Sequence, residues 1–163
     1  MEKSKEDRLE LTPIVQIGVV VKDVEKAVEY YTKHFGLGPW RRTVNEHLPF
    51  AIVRGKNTPY TVKLAFVDIP PLQLELIEVT KGPSIQLEHL EAKGEGIHHI
   101  QYRVKDLEKE IVKYKKHRFK VLQTMHDSKG GFAYMDTDKV GGVIFEIVGP
   151  SPSLEEKAKE TSR

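Results

Sequence analysis

The sequence predicts an α+β fold built from two tandem βαβββ modules whose strands form one curled mixed sheet. The first observation is an internal repeat: Val21–Lys26 reappears as Val104–Lys109, with five of six residues identical at an offset of 83 residues. The second is that each copy follows the same order of one apolar strand, one amphipathic helix and further strands. The offset also aligns identical flanking residues: Ile17 with Ile100, Tyr31 with Tyr114, Lys33 with Lys116 and His34 with His117.

The first module begins with an apolar, β-branched strand over 14–21. Asp23 is a favourable N-cap, and apolar residues at helical spacing follow it until Gly36 ends the helix. Turn residues then separate three further strand candidates. These candidates are Phe50–Val53, Thr61–Val67 and Leu72–Val79.

The second module repeats this order, with a strand over His99–Val104 and a helix capped by Asp106. Its later strand candidates are Lys120–Thr124, Gly131–Met135 and Val143–Val148. We therefore expect five segments: a polar tail (1–13), the first module (14–80), a linker with a short helix and a Gly-containing link (81–96), the second module (97–149) and a charged tail (150–163).

Composition excludes several classes of protein. The 163 residues carry 26 Lys and Arg against 24 Asp and Glu, a net charge of +2, which gives no electrostatic case for nucleic acid. No apolar run approaches the roughly 20 residues of a membrane span, and the charged N-terminus is unlike a secretory signal. Cysteine is absent, which fits a cytoplasmic protein and leaves only nitrogen and oxygen ligands for a metal.

Four polar residues interrupt apolar strands and form two matched pairs. Gln16 and His99 are equivalent in the opening strands, while Glu75 and Glu146 both lie in closing strands. A single strand Glu usually faces water, and a single His is usually structural. Two modules packed about a pseudo-twofold axis would instead bring all four residues to one cleft, where they suit a divalent cation. Strand alternation places His98 on the opposite face, so the repeat selects His99.

The chain resembles the vicinal oxygen chelate superfamily, especially its methylmalonyl-CoA epimerase and glyoxalase I branches. The resemblance runs from Ile14 to Val148, and its most specific segments are Gly94–Ile100 and Gly142–Glu146. It implies a homodimer that binds Co, Mn, Ni, Zn or Mg. The implied metal ligands are Gln16, Glu75, His99 and Glu146.

The resemblance also implies an isomerase that abstracts a proton next to a metal-bound carbonyl, with Glu146 or Glu75 as the catalytic base. The substrate would be an acyl-CoA thioester in an epimerase, or a glutathione hemithioacetal in the alternative, a glyoxalase I-like lyase. Epimerases usually carry His where this chain has Gln16, whereas some glyoxalase I enzymes carry Gln. An iron dioxygenase is disfavoured because its site needs two His and one carboxylate. A non-catalytic small-molecule-binding protein is a further alternative.

Overall fold

The computed structural model describes residues 8–151, so only parts of the two expected tails are included. The helices of this part are α1 (Val24–Phe35), α2 (Ile85–Lys93) and α3 (Leu107–Lys116). The strands are β1 (Ile14–Val20), β2 (Arg41–Leu48), β3 (Ile52–Val53), β4 (Lys56–Asn57), β5 (Tyr60–Ile69), β6 (Leu72–Lys81), β7 (Gly96–Arg103), β8 (Val121–Asp127), β9 (Gly130–Met135) and β10 (Ile144–Gly149).

All of these strands join one open mixed sheet, which confirms the α+β prediction. The order across the sheet is β2-β5-β6-β1-β7-β10-β9-β8-β3-β4. The opening strands β1 and β7 pair antiparallel at the centre, and each pairs in parallel with the closing strand of its own half. Among the described helices, none is long and apolar enough to cross a membrane.

The pairing register repeats between the two halves. Gly18 pairs with Glu75 on the closing strand of the first half. Gln101, which lies 83 residues after Gly18, pairs with Glu146 on the closing strand of the second half. The two glutamates therefore occupy equivalent positions on either side of the central strand pair.

Helices α1 and α3 cover one face of the sheet, whereas α2 packs on the other, where Ile85 joins Ile144 and Tyr134 in a buried cluster. Val24 and Val28 of α1 pack against Leu76, the residue after Glu75, in one buried cluster. In the second half, α3 packs against Ile147, the residue after Glu146, in another. Because neighbouring residues of a strand point to opposite faces, both glutamates point away from α1 and α3.

One predicted strand of the first module was wrong. The second strand of the first module is β2 (Arg41–Leu48), whereas the predicted segment Phe50–Val53 contributes only the two-residue β3. This short strand pairs with β8 of the second half. The sequence pattern missed β2 because an edge strand carries polar residues on its exposed side and lacks an apolar run.

The basic residues at the start of β2 have structural partners. Arg42 forms a 2.6 Å ion pair with Glu25 of α1, and the Arg41 guanidinium lies 5.2 Å from the centre of the Phe66 ring. The indole of Trp40 donates to the carbonyl of Leu37 at 3.0 Å. These contacts attach β2 to the helix and the sheet.

The second-half core depends on Leu107, which is fully buried between α3 and the sheet. We expect Leu107→Ala to lower the free energy of unfolding by about 2–5 kcal/mol, because the truncation leaves a cavity. Val112→Ala, on the exposed side of the same helix, is the control and should change stability by less than about 1 kcal/mol. Equal losses of unfolding free energy in the two variants, measured by urea titration, would contradict this packing.

Candidate active site

Three of the four predicted ligands meet on the face of the sheet opposite α1 and α3. The His99 imidazole is fully buried, and its Nε2 lies 3.2 Å from Glu146 Oε2 and 3.5 Å from Glu75 Oε2. Both glutamates are also buried. Within residues 8–151, His99 Nε2 has no hydrogen-bond partner of suitable geometry. The result is one ring nitrogen between two buried carboxylates.

Gly18 makes room for this imidazole. It pairs with His99 across β1 and β7, and the ring lies directly over its Cα. A Cβ at position 18 would overlap the ring atoms of His99. The glycine is thus required for a close approach of a side chain to the backbone.

A β-bulge brings His98 next to His99. The register of β1 and β7 shifts so that Gly18 pairs with His99 while Val19 pairs with Ile97, which leaves His98 without an opposite residue. The two Nδ1 atoms lie 3.1 Å apart, and both rings pack against Tyr134. The expectation that simple alternation separates the two histidines on opposite faces was therefore wrong.

The titratable groups of the site influence one another strongly. Burial raises the pKa of Glu75, and the neighbouring His99 opposes that rise. Burial would by itself lower the pKa of His99, but the two carboxylates, Glu146 foremost, raise it to about 9. Burial lowers the pKa of His98 to about 2, so that this second ring is neutral. Burial raises the pKa of Tyr134, and the charges of Glu146 and Glu75 raise it further.

The fourth predicted ligand, Gln16, is connected to the others through Gln101. The Gln101 amide donates one hydrogen bond to Glu146 Oε2 at 2.7 Å and another to Gln16 Oε1 at 2.8 Å. Gln16 in turn donates to Gln73 Oε1 at 2.9 Å. Sequence reasoning missed Gln101, although a polar residue two positions after His99 on the same strand face is the signal that could have found it.

The two carboxylates open into a cavity of about 240 Å³ with largely apolar walls. Its lining includes Glu75, Glu146, Tyr60 and Tyr134, and Glu46 contributes to it from β2. Sequence reasoning also missed Glu46, because β2 itself was not recognised as a strand. This cavity can enclose a small reacting group beside two proton-accepting oxygens.

The donor atoms of the site suit a divalent cation when their distances are compared two at a time. Two ligands that share a cation at about 2.1 Å lie about 3.0 Å apart in octahedral and about 3.4 Å apart in tetrahedral geometry. The distances from His99 Nε2 to the two carboxylates, 3.2 and 3.5 Å, are close to these values. Within residues 8–151, however, no cluster of three or more His, Asp or Glu side chains is already arranged to hold a metal. A cation would draw the carboxylates toward the unpartnered nitrogen.

Comparison with known proteins identifies the family. A family model described as the glyoxalase/bleomycin resistance protein/dioxygenase superfamily matches residues 15–135. The chain belongs to this superfamily. The resemblance inferred from the sequence motifs is thus confirmed at this level.

Solved structures share the fold at low sequence identity. Methylmalonyl-CoA epimerase from Mycobacterium tuberculosis superimposes with a TM-score of 0.64 at 20% identity, covering 91% of this chain and 93% of the epimerase. An epimerase variant from Streptomyces coelicolor, in complex with 2-nitronate-propionyl-CoA, gives 0.64 at 22% identity over 86% and 95%. A further epimerase, in complex with methylmalonyl-CoA and NH4+, gives 0.63 at 23% identity over 88% and 100%. No curated protein matches in sequence.

The contact between Gly18 and His99 generates a test of the site geometry. Gly18→Ala should displace the imidazole and lower the free energy of unfolding by about 1–3 kcal/mol, because the added methyl overpacks the sheet. The His99 ring resonances in NMR spectra should shift. Ile17→Val, a change on the other face of the same strand, is the control and should leave those resonances in place. Unchanged His99 resonances in Gly18→Ala would contradict the geometry.

Proposed function

We propose that the protein is a divalent-metal-dependent isomerase that removes a proton from the carbon next to a bound carbonyl, as a methylmalonyl-CoA epimerase does. The observation that carries the proposal is His99 Nε2, which has no hydrogen-bond partner among the described residues and lies between two buried carboxylates that line a cavity. The shared fold with epimerases, two of them bound to acyl-CoA compounds, supports this choice.

Under this proposal His99, Glu75 and Glu146 would hold the cation, and the Gln16 oxygen would complete the set. A divalent cation would polarise the substrate carbonyl and stabilise the negative charge that develops on its oxygen. The Gln16 oxygen already accepts a hydrogen bond from Gln101. A carbonyl oxygen has two lone pairs, so that bond does not prevent a second interaction.

The two glutamates differ in their hydrogen bonds, which suggests different roles. Glu146 accepts a 2.7 Å hydrogen bond from Gln101, which orients it. Among the described residues, Glu75 has no amide donor, and its close polar partner is His99. We assign Glu146 as an oriented ligand that can also act as a base, and Glu75 as a ligand with greater freedom to turn toward the substrate.

Glu46 is our candidate for the second proton carrier. Epimerisation requires a proton to leave one side of the carbon and return on the other, which favours two acid–base groups across the bound substrate. Glu46 belongs to the edge strand β2, reaches the same cavity as Glu75 and Glu146, and is exposed to solvent. It can therefore exchange protons with water from the wall of the cavity.

The alternative is a glyoxalase I-like lyase. The observation in its favour is the amide of Gln16 at the position where epimerases usually carry His. In this reaction the proton would return to the adjacent carbon of a glutathione hemithioacetal. The same carboxylates would serve, because both reactions begin with proton removal beside a carbonyl.

The proposal is tested by isotope exchange. Protein loaded with Co²⁺ or Mn²⁺ should incorporate deuterium at the α-carbon of methylmalonyl-CoA in D₂O, and chelation should abolish the exchange. If no exchange occurs but S-lactoylglutathione forms from methylglyoxal and glutathione, the result would contradict the epimerase proposal and support the lyase alternative. Absence of both reactions would refute proton-transfer chemistry at this site.

Replacement of Glu146 tests its role in the same assay. Glu146→Gln should lower exchange at least about a hundredfold and weaken Mn²⁺ binding, because an amide accepts no proton and is a poorer ligand. Glu91→Gln, on the exposed side of α2, is the control and should behave as the parent protein. Substantial turnover in Glu146→Gln would contradict the assignment.

Replacement of Glu46 separates exchange from epimerisation. Glu46→Gln should slow the conversion of one methylmalonyl-CoA epimer into the other by about 10²–10⁴-fold. The same variant should retain deuterium exchange into one epimer, because Glu75 and Glu146 still remove the proton on their side of the substrate. Glu29→Gln, an exposed change on α1, serves as the control. If Glu46→Gln loses both deuterium exchange and epimerisation, or retains both, Glu46 is excluded as the second proton carrier.

A further inference from the structure

A larger cavity, which we call the α3 cavity, lies on the other face of the sheet and has a volume of about 690 Å³. It is bounded by the end of α3, by β8 and by the hairpin of β3 and β4. Thr124 of β8 lines it and pairs with Ala133, which belongs to the buried cluster of α3. Because directly paired residues point to the same face of a sheet, the α3 cavity opens on the face opposite Glu75 and Glu146. A ligand bound in it would therefore not touch the carboxylate site.

The walls of the α3 cavity are largely apolar. Ile111 is buried, and Phe119 and Val121 are half-buried against the cluster that contains Ile147. Ile52 adds a more exposed apolar side chain from the hairpin. Because most of these side chains are covered by the protein, they suit the apolar tail of a molecule that enters the cavity better than they suit insertion into a bilayer.

Cationic side chains line the same cavity. Lys115 lies in the last turn of α3, and Arg118 and Lys120 lie between α3 and β8; all three are exposed. The lining contains no carboxylate, and in the part of the chain that the structure describes none of the three forms an ion pair. Asp136, which accepts a hydrogen bond from the backbone N–H of Lys120, is already paired with Lys139 at 3.1 Å. Uncompensated positive charge beside apolar walls favours a ligand with an anionic head and an apolar tail.

Arg118 adopts a backbone conformation that is unfavourable for a residue with a side chain. Its φ is 67°, in the left-handed region, whereas α1 ends with Gly36 at a φ of 66°. Glycine is the usual residue in this region because it has no Cβ. Arg54, the other described non-glycine residue with a positive φ, has its guanidinium bound to Glu88 at 2.6 Å. Arg118 has no such partner within the described chain, so an external anion is the group that would use its guanidinium.

We propose that the α3 cavity binds a free amphipathic carboxylate. The carboxylate would accept two parallel hydrogen bonds from the Arg118 guanidinium, whose planar fork matches the two oxygens. Lys115 and Lys120 would attract the same charge, while the acyl tail would lie against Phe119 and Val121. The inference is independent of the proposed function, because it concerns the other face of the sheet.

Octanoate is the probe, and the backbone amide signals of ¹⁵N-labelled full-length protein report where it binds. We expect octanoate to shift the signals of Phe119, Val121 and Thr124 and to leave those of Gly18 and Gln101, at the carboxylate site, in place. Butyrate should bind at least about tenfold more weakly, because each buried methylene strengthens binding about fourfold. Octylammonium, which has the same tail and the opposite charge, should cause no saturable shift in the first three signals.

Replacement of Arg118 tests the binding of the head group. Arg118→Gly should weaken octanoate binding about tenfold through loss of charged hydrogen bonds. The variant should keep the fold, because glycine suits the left-handed conformation. Lys115→Met should weaken binding about threefold through loss of an exposed charge. Lys116→Met, an exposed change at the next position of α3 and outside the cavity, is the control and should bind as the parent protein does.

Three results would each overturn the inference. They are the absence of saturable shifts at Phe119, Val121 and Thr124, binding of octylammonium as tight as that of octanoate, and unchanged affinity in Arg118→Gly. Binding of the protein to phosphatidylglycerol vesicles without a response to octanoate would also refute the carboxylate site and would identify this surface as a membrane contact. Deuterium exchange with methylmalonyl-CoA has no bearing on these outcomes.

Discussion

The structure is organised around two buried carboxylates that share one buried imidazole. Removing charges from water is unfavourable unless they have partners, and each of the three groups lowers that cost for the others. The raised pKa of His99 reflects this dependence, because the carboxylates outweigh the effect of burial. The two glutamates come from opposite halves of the sheet, and His99 from its central strand pair. Both modules must therefore fold together before the site exists.

The repeat gives the two glutamates equivalent positions in the sheet. A difference in sequence at one other pair of equivalent positions gives them different surroundings. At the pair of equivalent positions 18 and 101, the first half has glycine and the second has glutamine. Gly18 leaves space for the His99 ring, whereas Gln101 fills its space with an amide bonded to Glu146. A symmetric scaffold thus holds an asymmetric site.

The face of the sheet opposite α1 and α3 holds two different cavities. One has largely apolar walls and is lined by the two carboxylates, while the other is lined by three amides and by the charged side chains of Asp68 and Arg103. The hydrogen bonds from Gln101 to Glu146 and to Gln16 connect the two linings. An apolar enclosure strengthens electrostatic interactions with a reacting group.

The amino-acid sequence alone determined the two-module architecture, the superfamily and the convergence of Glu75, His99 and Glu146, because a repeat carries its strand register with it. It also indicated the helix ends at Asp23, Gly36 and Asp106 through local capping chemistry. Only the tertiary structure revealed β2, the contact between His98 and His99, and the positions of Gln101 and Glu46. The edge strand β2 lacks an apolar pattern. The bulge at His98 changes the direction of a side chain without changing the composition of the strand. The contact between Gln101 and Glu146 depends on the register of two strands. These features arise from pairing between distant segments, which local sequence does not encode.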